Sequence, residues 1–174
     1  SDEELARNRA DIWQDFLSRE MDGPYYRERS AQFDKVQVPL LSAANWGGQG
    51  LHTRGNFEGF MRAASRQKWL EAHGGSHWAP FYTDYGVQLQ KRFFNYHLKG
   101  ERNGWDAQPR VQLQVRHIDR FVERHENEWP IARTQWTRFF LDPDGHALAD
   151  APARAAGSVT FDALGDGVTF VSPP

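Results

Sequence analysis

The chain has 174 residues, a formal net charge of −2 and an aromatic content of 14%, figures typical of a soluble globular protein with a core. The near-neutral charge argues against nucleic-acid binding, and no apolar run approaches the roughly 20 residues that a membrane helix needs. The absence of cysteine excludes disulfides, thiolate metal sites and a cysteine nucleophile.

The first segment predicts a helix that ends at Gly23-Pro24. Leu5, Ile12 and Phe16 recur at the spacing of one helix face. Because the segment is charged from its start and lacks the apolar centre of a signal peptide, we expect a cytoplasmic protein. Residues 25–34 are expected to form an irregular connection.

Two short apolar runs, each followed by a glycine-rich loop and a helix, predict a βαβα unit. The strands cover residues 36–44 and 68–73, and the loops NWGGQG and HGGSHW follow them. The helices cover residues 54–67 and 84–98. Because ligands gather at the carboxyl ends of parallel strands, both loops are candidate functional sites.

The sequence beyond Gly100 predicts β-strands of a second domain. Residues 110–117, RVQLQVRH, alternate apolar and polar side chains, which is typical of an antiparallel strand with one solvated face. The charged cluster at residues 123–128 is interpreted as a solvated turn. Further strands are predicted over residues 134–141, 158–162 and 168–171.

His77 is the leading candidate for chemistry. It follows Gly74 and Gly75 in a loop at a strand end, where an α/β-hydrolase needs its general base. From position alone, a surface histidine without function is the alternative. His73 and His77 have H-x3-H spacing, but the two glycines disfavour the helix that would put both rings on one face, so no metal site is predicted.

The order of these segments resembles the CocE/NonD family of serine hydrolases, which contains cocaine esterase-like and X-Pro dipeptidyl-peptidase-like enzymes. The resemblance covers residues 25–150. It rests on VPLLSAANWGGQGLHTRGNFEGF, KWLEAHGGSHW, YTDYGVQLQKRFFNYHLKG and NEWPIARTQWTRFFLDPDGHAL. It implies an α/β fold, with the C-terminal part of an α/β-hydrolase sheet in residues 1–100. Residues 101–174 would then begin an incomplete antiparallel β-sandwich, the start of a jelly-roll domain.

The resemblance implies that His77 is the triad histidine, whereas the position of the triad aspartate falls on Gly48. Asn45 is a candidate for orienting the imidazole, although an amide cannot stabilise an imidazolium as a carboxylate does. Glu58, Asp84 and an acid outside this sequence remain open as the acid.

Trp46 and Trp78 lie in the two glycine-rich loops. In a hydrolase they could line an acyl or aromatic substrate pocket. Packing beneath the loops as part of the core is the alternative, and the sequence leaves both open.

No G-x-S-x-G nucleophile motif occurs in the sequence. The resemblance implies that the nucleophile precedes residue 38, so we expect a segment of a longer serine hydrolase that is inactive alone. Its partners would be the rest of the hydrolase chain and a small-molecule substrate. That substrate would be a carboxylic ester, or a peptide or acyl compound cleaved at an X-Pro bond. No cofactor, metal, nucleic-acid or membrane partner is predicted, and homo-oligomerisation stays open. The alternatives are a non-catalytic β-rich binding module and a degenerate hydrolase relative.

Overall fold

The computed structural model describes residues 1–9, 11–19, 21–48 and 50–173. Ala10 and Glu20 of the predicted first helix, and Gln49 of the NWGGQG loop, therefore lie outside the described residues. The chain forms two compact units, Ser1–Trp129 and Pro130–Pro174. The division at residues 100 and 101, expected from the resemblance, stays a prediction.

Three short helices open the first unit: α1 (Asp2–Asn8), α2 (Ile12–Ser18) and α3 (Pro24–Arg29). The single helix predicted here is two helices, because the Asp11 side chain accepts the backbone N–H of Gln14 at 3.1 Å and starts a new one. The third helix lies where an irregular connection was expected. Its first residue is a proline, which is favourable at that position because the missing N–H needs no partner there.

A four-stranded mixed sheet forms the centre of the first unit. Its strands, in spatial order, are β1 (Leu40–Asn45), β2 (Lys68–His73), β3 (Val111–Arg116) and β4 (Phe121–Glu126). β1 pairs with β2 and β2 pairs with β3 in parallel, whereas β3 and β4 are antiparallel. The predicted α/β class is therefore confirmed.

Helices connect and cover these strands in the predicted βαβα order. α4 (Thr53–Arg62) links β1 to β2, and α5 (Ala79–Tyr82) and α6 (Asp84–Lys99) follow β2. α6 ends at Gly100, which has a φ of 69°. Glycine adopts this left-handed conformation without strain, so it terminates the helix where the sequence predicted.

The central core cluster joins β2 to α6. Trp69 of β2 packs against Leu89 and Phe93 of α6 and against Trp105, which is fully buried. The rings of Trp69 and Trp105 meet at a centroid distance of 5.4 Å. This packing anchors the start of β2 against α6, whereas the loop that carries His77 follows the other end of the strand.

β3 and β4 depart from the sequence expectations. The polar face of β3 was expected to be solvated, but Gln112 is only 7% exposed because β3 is also paired with β2 and covered by Tyr85. Residues 123–126 were interpreted as part of a turn and instead belong to β4. β4 is exposed and pairs with β3 through its backbone. Its charged side chains therefore do not alternate with apolar ones, which is the pattern that would have predicted a strand.

The second unit contains a small antiparallel sheet of β5 (Phe140–Asp142) and β6 (Ala147–Ala149). Val171 adds an isolated parallel bridge to Ala147. Most of the predicted residues 134–141, and all of 158–162, are not strand. None of the described residues from 130 to 173 is buried, so their apolar side chains lack the packing partner that stabilises strands.

No helix in residues 1–9, 11–19, 21–48 or 50–173 combines the length and the apolar character needed to cross a membrane.

Candidate active site

The carboxyl ends of β1 and β2 lie side by side. Asn45, the last residue of β1, is the register partner of His73, the last residue of β2. Both glycine-rich loops start from this edge of the sheet, as the sequence predicted for parallel strands.

Asn45 holds the backbone of the loop that carries His77. Its Nδ2 donates to the carbonyl oxygens of Gly74, Gly75 and Ser76 at 3.4, 3.4 and 3.2 Å. The side chain is 6% exposed, and its Oδ1 has no hydrogen-bond partner among the described residues. Asn45 therefore contacts the loop carbonyls, and its predicted role in orienting the imidazole stays a prediction.

Gly48 lies against the imidazole of His77. A Cβ atom on Gly48 would lie 3.4 Å from Nδ1 of His77 and 3.6 Å from Oγ1 of Thr53. The ring and residue 48, the position that the resemblance assigns to the triad aspartate, are therefore adjacent in space. Glycine supplies no carboxylate there.

The ring of His77 is exposed and makes aromatic contacts. It stacks on His52, with centroids 5.0 Å apart and an interplanar angle of 24°. It meets Trp78 edge to face, at 5.3 Å and 90°. His52, in the loop before α4, had no role in the sequence analysis, because nothing in the spacing along the chain links residues 52 and 77.

Gly74 lies against the end of the Phe121 side chain of β4, whose ring is 40% exposed. A Cβ atom on Gly74 would lie 2.0 Å from Cζ of Phe121, which is far inside van der Waals contact. The neighbouring Gly75 has a φ of 83°, a conformation that favours glycine. Gly75 is therefore favoured for the turn that leads to His77, whereas a larger residue at position 74 would require the Phe121 ring to move.

The two tryptophans predicted to line a substrate pocket lie in different environments. Trp46 is half-buried, donates from Nε1 to the carbonyl oxygen of Gln114 at 2.8 Å and packs on Phe57 at 5.6 Å. Trp78 is 73% exposed. Neither lines the cavity beside His77, and their role in substrate binding stays a prediction.

A cavity of about 310 Å³ opens beside the strand ends. Asn45, His73 and His77 contribute its polar lining, and apolar side chains of α6, among them Leu89 and Phe93, line another part. A cleft that is largely apolar with a few polar groups is the usual form of a small-molecule site.

A buried polar network borders this cavity. Glu71 is 2% exposed and accepts hydrogen bonds from Nδ1 of His73 at 2.7 Å and from the hydroxyl of Tyr85 at 3.1 Å. Gln112 donates to the Tyr85 oxygen at 3.2 Å and accepts from Gln108 at 2.7 Å. Burial, together with the neighbouring carboxylate of Glu71, raises the pKa of Tyr85, so its hydroxyl remains a donor. Glu71 is a charged residue within an apolar strand, which is the one sign of this network in the sequence. No role was predicted for it.

The two other acids considered from the sequence lie on helices. Glu58 forms an ion pair with Arg54 at 4.0 Å on α4. Asp84 lies in the first turn of α6. Within the described part of the chain, no three or more histidine or acidic side chains are grouped as metal ligands would be.

Comparison with known proteins finds relatives of this chain. No protein-family model matches the sequence. Cocaine esterase from Rhodococcus sp. (strain MB1 Bresler) is 39% identical over 59 residues, which are 34% of this chain and 10% of that protein. Two crystal structures of a CocE/NonD family hydrolase from Staphylococcus aureus match with TM-scores of 0.77 and 0.76 and 33% identity.

Those structural matches cover 84% of this chain but only 28% of the Staphylococcus aureus protein. The chain thus spans about a quarter of the length of these relatives. At this identity and TM-score, the chain is CocE/NonD-like in both sequence and fold, and its structural relatives are hydrolases.

Proposed function

We propose that this chain supplies His77 as the general base of a serine hydrolase whose nucleophile lies outside residues 1–174. The observation that carries the proposal is the position of the His77 ring. It is exposed, lies at the carboxyl edge of two parallel strands and lines the cavity. Contacts of the preceding loop support that position, because Asn45 donates to its carbonyl oxygens and the Phe121 ring of β4 lies against Gly74.

The proposed reaction is acyl transfer to serine followed by hydrolysis. His77 accepts the serine proton as the oxygen attacks the substrate carbonyl, and it then donates that proton to the leaving alcohol or amine. A water molecule next gives a proton to His77 and attacks the acyl-enzyme. The products are the carboxylic acid and the regenerated serine.

Carboxylic esters are the proposed substrate class, with acyl or peptide bonds at X-Pro as the second candidate. The name of the Rhodococcus relative, cocaine esterase, favours the ester. An ester also needs less help from the general acid, because an alcohol leaves more readily than an amine.

Kinetics of the complete hydrolase polypeptide test the proposed role of His77 and the proposed substrate class. We expect turnover of p-nitrophenyl acetate to exceed turnover of an X-Pro p-nitroanilide, and His77→Ala to lower kcat by about 10⁴- to 10⁶-fold. His125→Ala is the matched control, because His125 is an exposed histidine on β4. Residues 1–174 alone should be inactive, and ester turnover that His77→Ala leaves unchanged would contradict the proposal.

A binding module is the second candidate function. Exposed aromatic side chains favour it, since Trp78 and Trp136 are 73% and 85% exposed and flat exposed rings can hold a sugar or a protein partner. A degenerate hydrolase relative is a further alternative, because Gly48 supplies no acid. A complete polypeptide that turns over neither substrate would favour these alternatives.

A further inference from the structure

The backbone at His52 is tied to the end of β1. Its N–H donates to the carbonyl oxygen of Gly48 at 2.9 Å, and its own carbonyl accepts the N–H of Asn56 at 3.1 Å in the first turn of α4. The hydroxyl of Thr53 donates to the carbonyl oxygen of Asn45 at 2.6 Å. The side chain of His52 therefore projects from a fixed point beside the active-site loop.

From this point the His52 ring covers one face of the His77 ring. The 5.0 Å separation and 24° angle fall within the range of offset stacking. Trp78 meets the same ring edge to face, and Gly48 brings only backbone to its Nδ1 edge. Among the described residues, aromatic rings therefore set the plane of the His77 imidazole.

A general base is effective only when its accepting nitrogen is aligned with the nucleophile. In a triad, a carboxylate hydrogen-bonded to the imidazole provides that alignment, and residue 48 cannot do so here. We propose that His52 is a positioning residue for His77, which it aligns by ring stacking. This inference rests on the proposed function, because it concerns the same general base.

Stacking requires a flat ring at position 52 and does not require a titratable group. His52→Phe keeps the flat ring, whereas His52→Ala removes it. The pair therefore separates positioning by stacking from proton transfer by His52 itself. Alignment of the general base acts in the transition state, so the effect of positioning is measured in kcat. His52 also lines the cavity, so a change in KM reports a separate loss of substrate contact.

The test measures kcat and KM for p-nitrophenyl acetate in the complete polypeptide, with His125→Ala as the surface control. We expect His52→Ala to lower kcat by about 10- to 100-fold, as small misplacements of catalytic groups do. His52→Phe should restore most of kcat. The NMR signal of the His77 Cε1–H should move in His52→Ala, because the ring current of the stacked partner is lost.

Each outcome has one meaning. If His77→Ala abolishes turnover while His52→Ala leaves kcat and the NMR signal unchanged, the positioning role is wrong and the proposed function stands. An equal loss in His52→Phe and His52→Ala, at equal melting temperatures, also overturns stacking as the cause. If turnover survives His77→Ala or is absent in the unaltered protein, the proposed function is wrong and this inference falls with it.

Discussion

The Nδ2 atom of Asn45 lies 3.2 Å from the carbonyl oxygen of Ser76, the residue directly before His77. This contact joins the end of β1 to the loop after β2. It explains how a loop with two successive glycines can present a side chain in a defined place. Asn45 therefore contacts the backbone of the loop, and its predicted role in orienting the His77 ring stays a prediction.

Substitution of Asn45 tests this backbone contact. Asn45→Ala leaves three carbonyl oxygens without their donor, and we expect the free energy of unfolding to fall by about 1–3 kcal/mol. Asn45→Asp should cost more, because its carboxylate would face these same oxygens and repel them. Urea unfolding of both variants measures the difference, and an Asn45→Asp variant as stable as the original would show that the amide does not hold the loop.

Gly48→Asp tests whether the space beside Nδ1 can accept the missing acid. The position of a Cβ on residue 48, 3.4 Å from Nδ1, leaves a carboxylate oxygen within hydrogen-bond reach of the ring. We expect kcat for the ester to rise by about 10-fold or more, within the roughly 10⁴-fold contribution of a triad aspartate. Gly48→Asn is the neutral control of equal size, and equal kcat values for the two variants would contradict a role for the charge.

Gly74→Ala tests the contact between the active-site loop and β4. Because the added methyl would lie 2.0 Å from the Phe121 ring, that ring has to move, and since it is 40% exposed we expect a loss of only about 0.5–1 kcal/mol of unfolding free energy. Gly55→Ala is the control, since nothing lies within 4 Å of a Cβ there and an alanine within α4 should stabilise by about 0.5–1 kcal/mol. A Gly74→Ala variant with the same melting temperature as the original chain would show that Phe121 does not pack on this glycine.

His97 predicts a pH dependence of stability. Its Nε2 is buried without a partner among the described residues, and its ring packs on Trp69 and Phe93. Burial lowers the pKa of His97 below its ordinary value of 6.5. As the pH falls below 6.5, the unfolded chain therefore binds a proton that the folded chain excludes, and the free energy of unfolding falls until the pH reaches the folded pKa.

Urea unfolding of the His97→Phe variant at about pH 8 and about pH 5 measures this contribution, because the two values bracket the ordinary histidine pKa. We expect the variant to lose less stability between these values than the original chain does. The His125→Ala control should keep the original dependence. An identical loss in the His97→Phe variant would contradict the assignment.

The sequence predicted the parts of the fold whose side chains are buried in a regular pattern. Apolar runs and glycine-rich loops located β1 and β2, and Gly100 marked the end of α6. The strand β4 could not be predicted, because its residues are mostly exposed and charged and show no alternation of apolar and polar side chains. The sequence predicted one helix where the structure has α1 and α2. The apolar spacing continues across both, but the side chain of Asp11 caps a new helix at its start.

Within the site, the order of motifs along the chain predicted that His77 and residue 48 belong to one site, and the two are adjacent in the structure. The catalytic role of His77 stays a prediction. Contacts between residues far apart in sequence could not be predicted. The stack of His52 on His77 and the hydrogen bonds from Asn45 to the loop depend on where two separate strands end. The Glu71 network depends likewise on the packing of α6 and β3 against β2.

Fluorophosphonate labelling of the complete hydrolase polypeptide tests the role of His77 most directly, because the probe reacts only with an activated serine. We expect covalent labelling of the original protein and a loss of labelling in the His77→Ala variant, with labelling retained in His125→Ala. Labelling that is absent from the original protein, or that His77→Ala leaves unchanged, would contradict the role of His77 as the general base of a serine hydrolase.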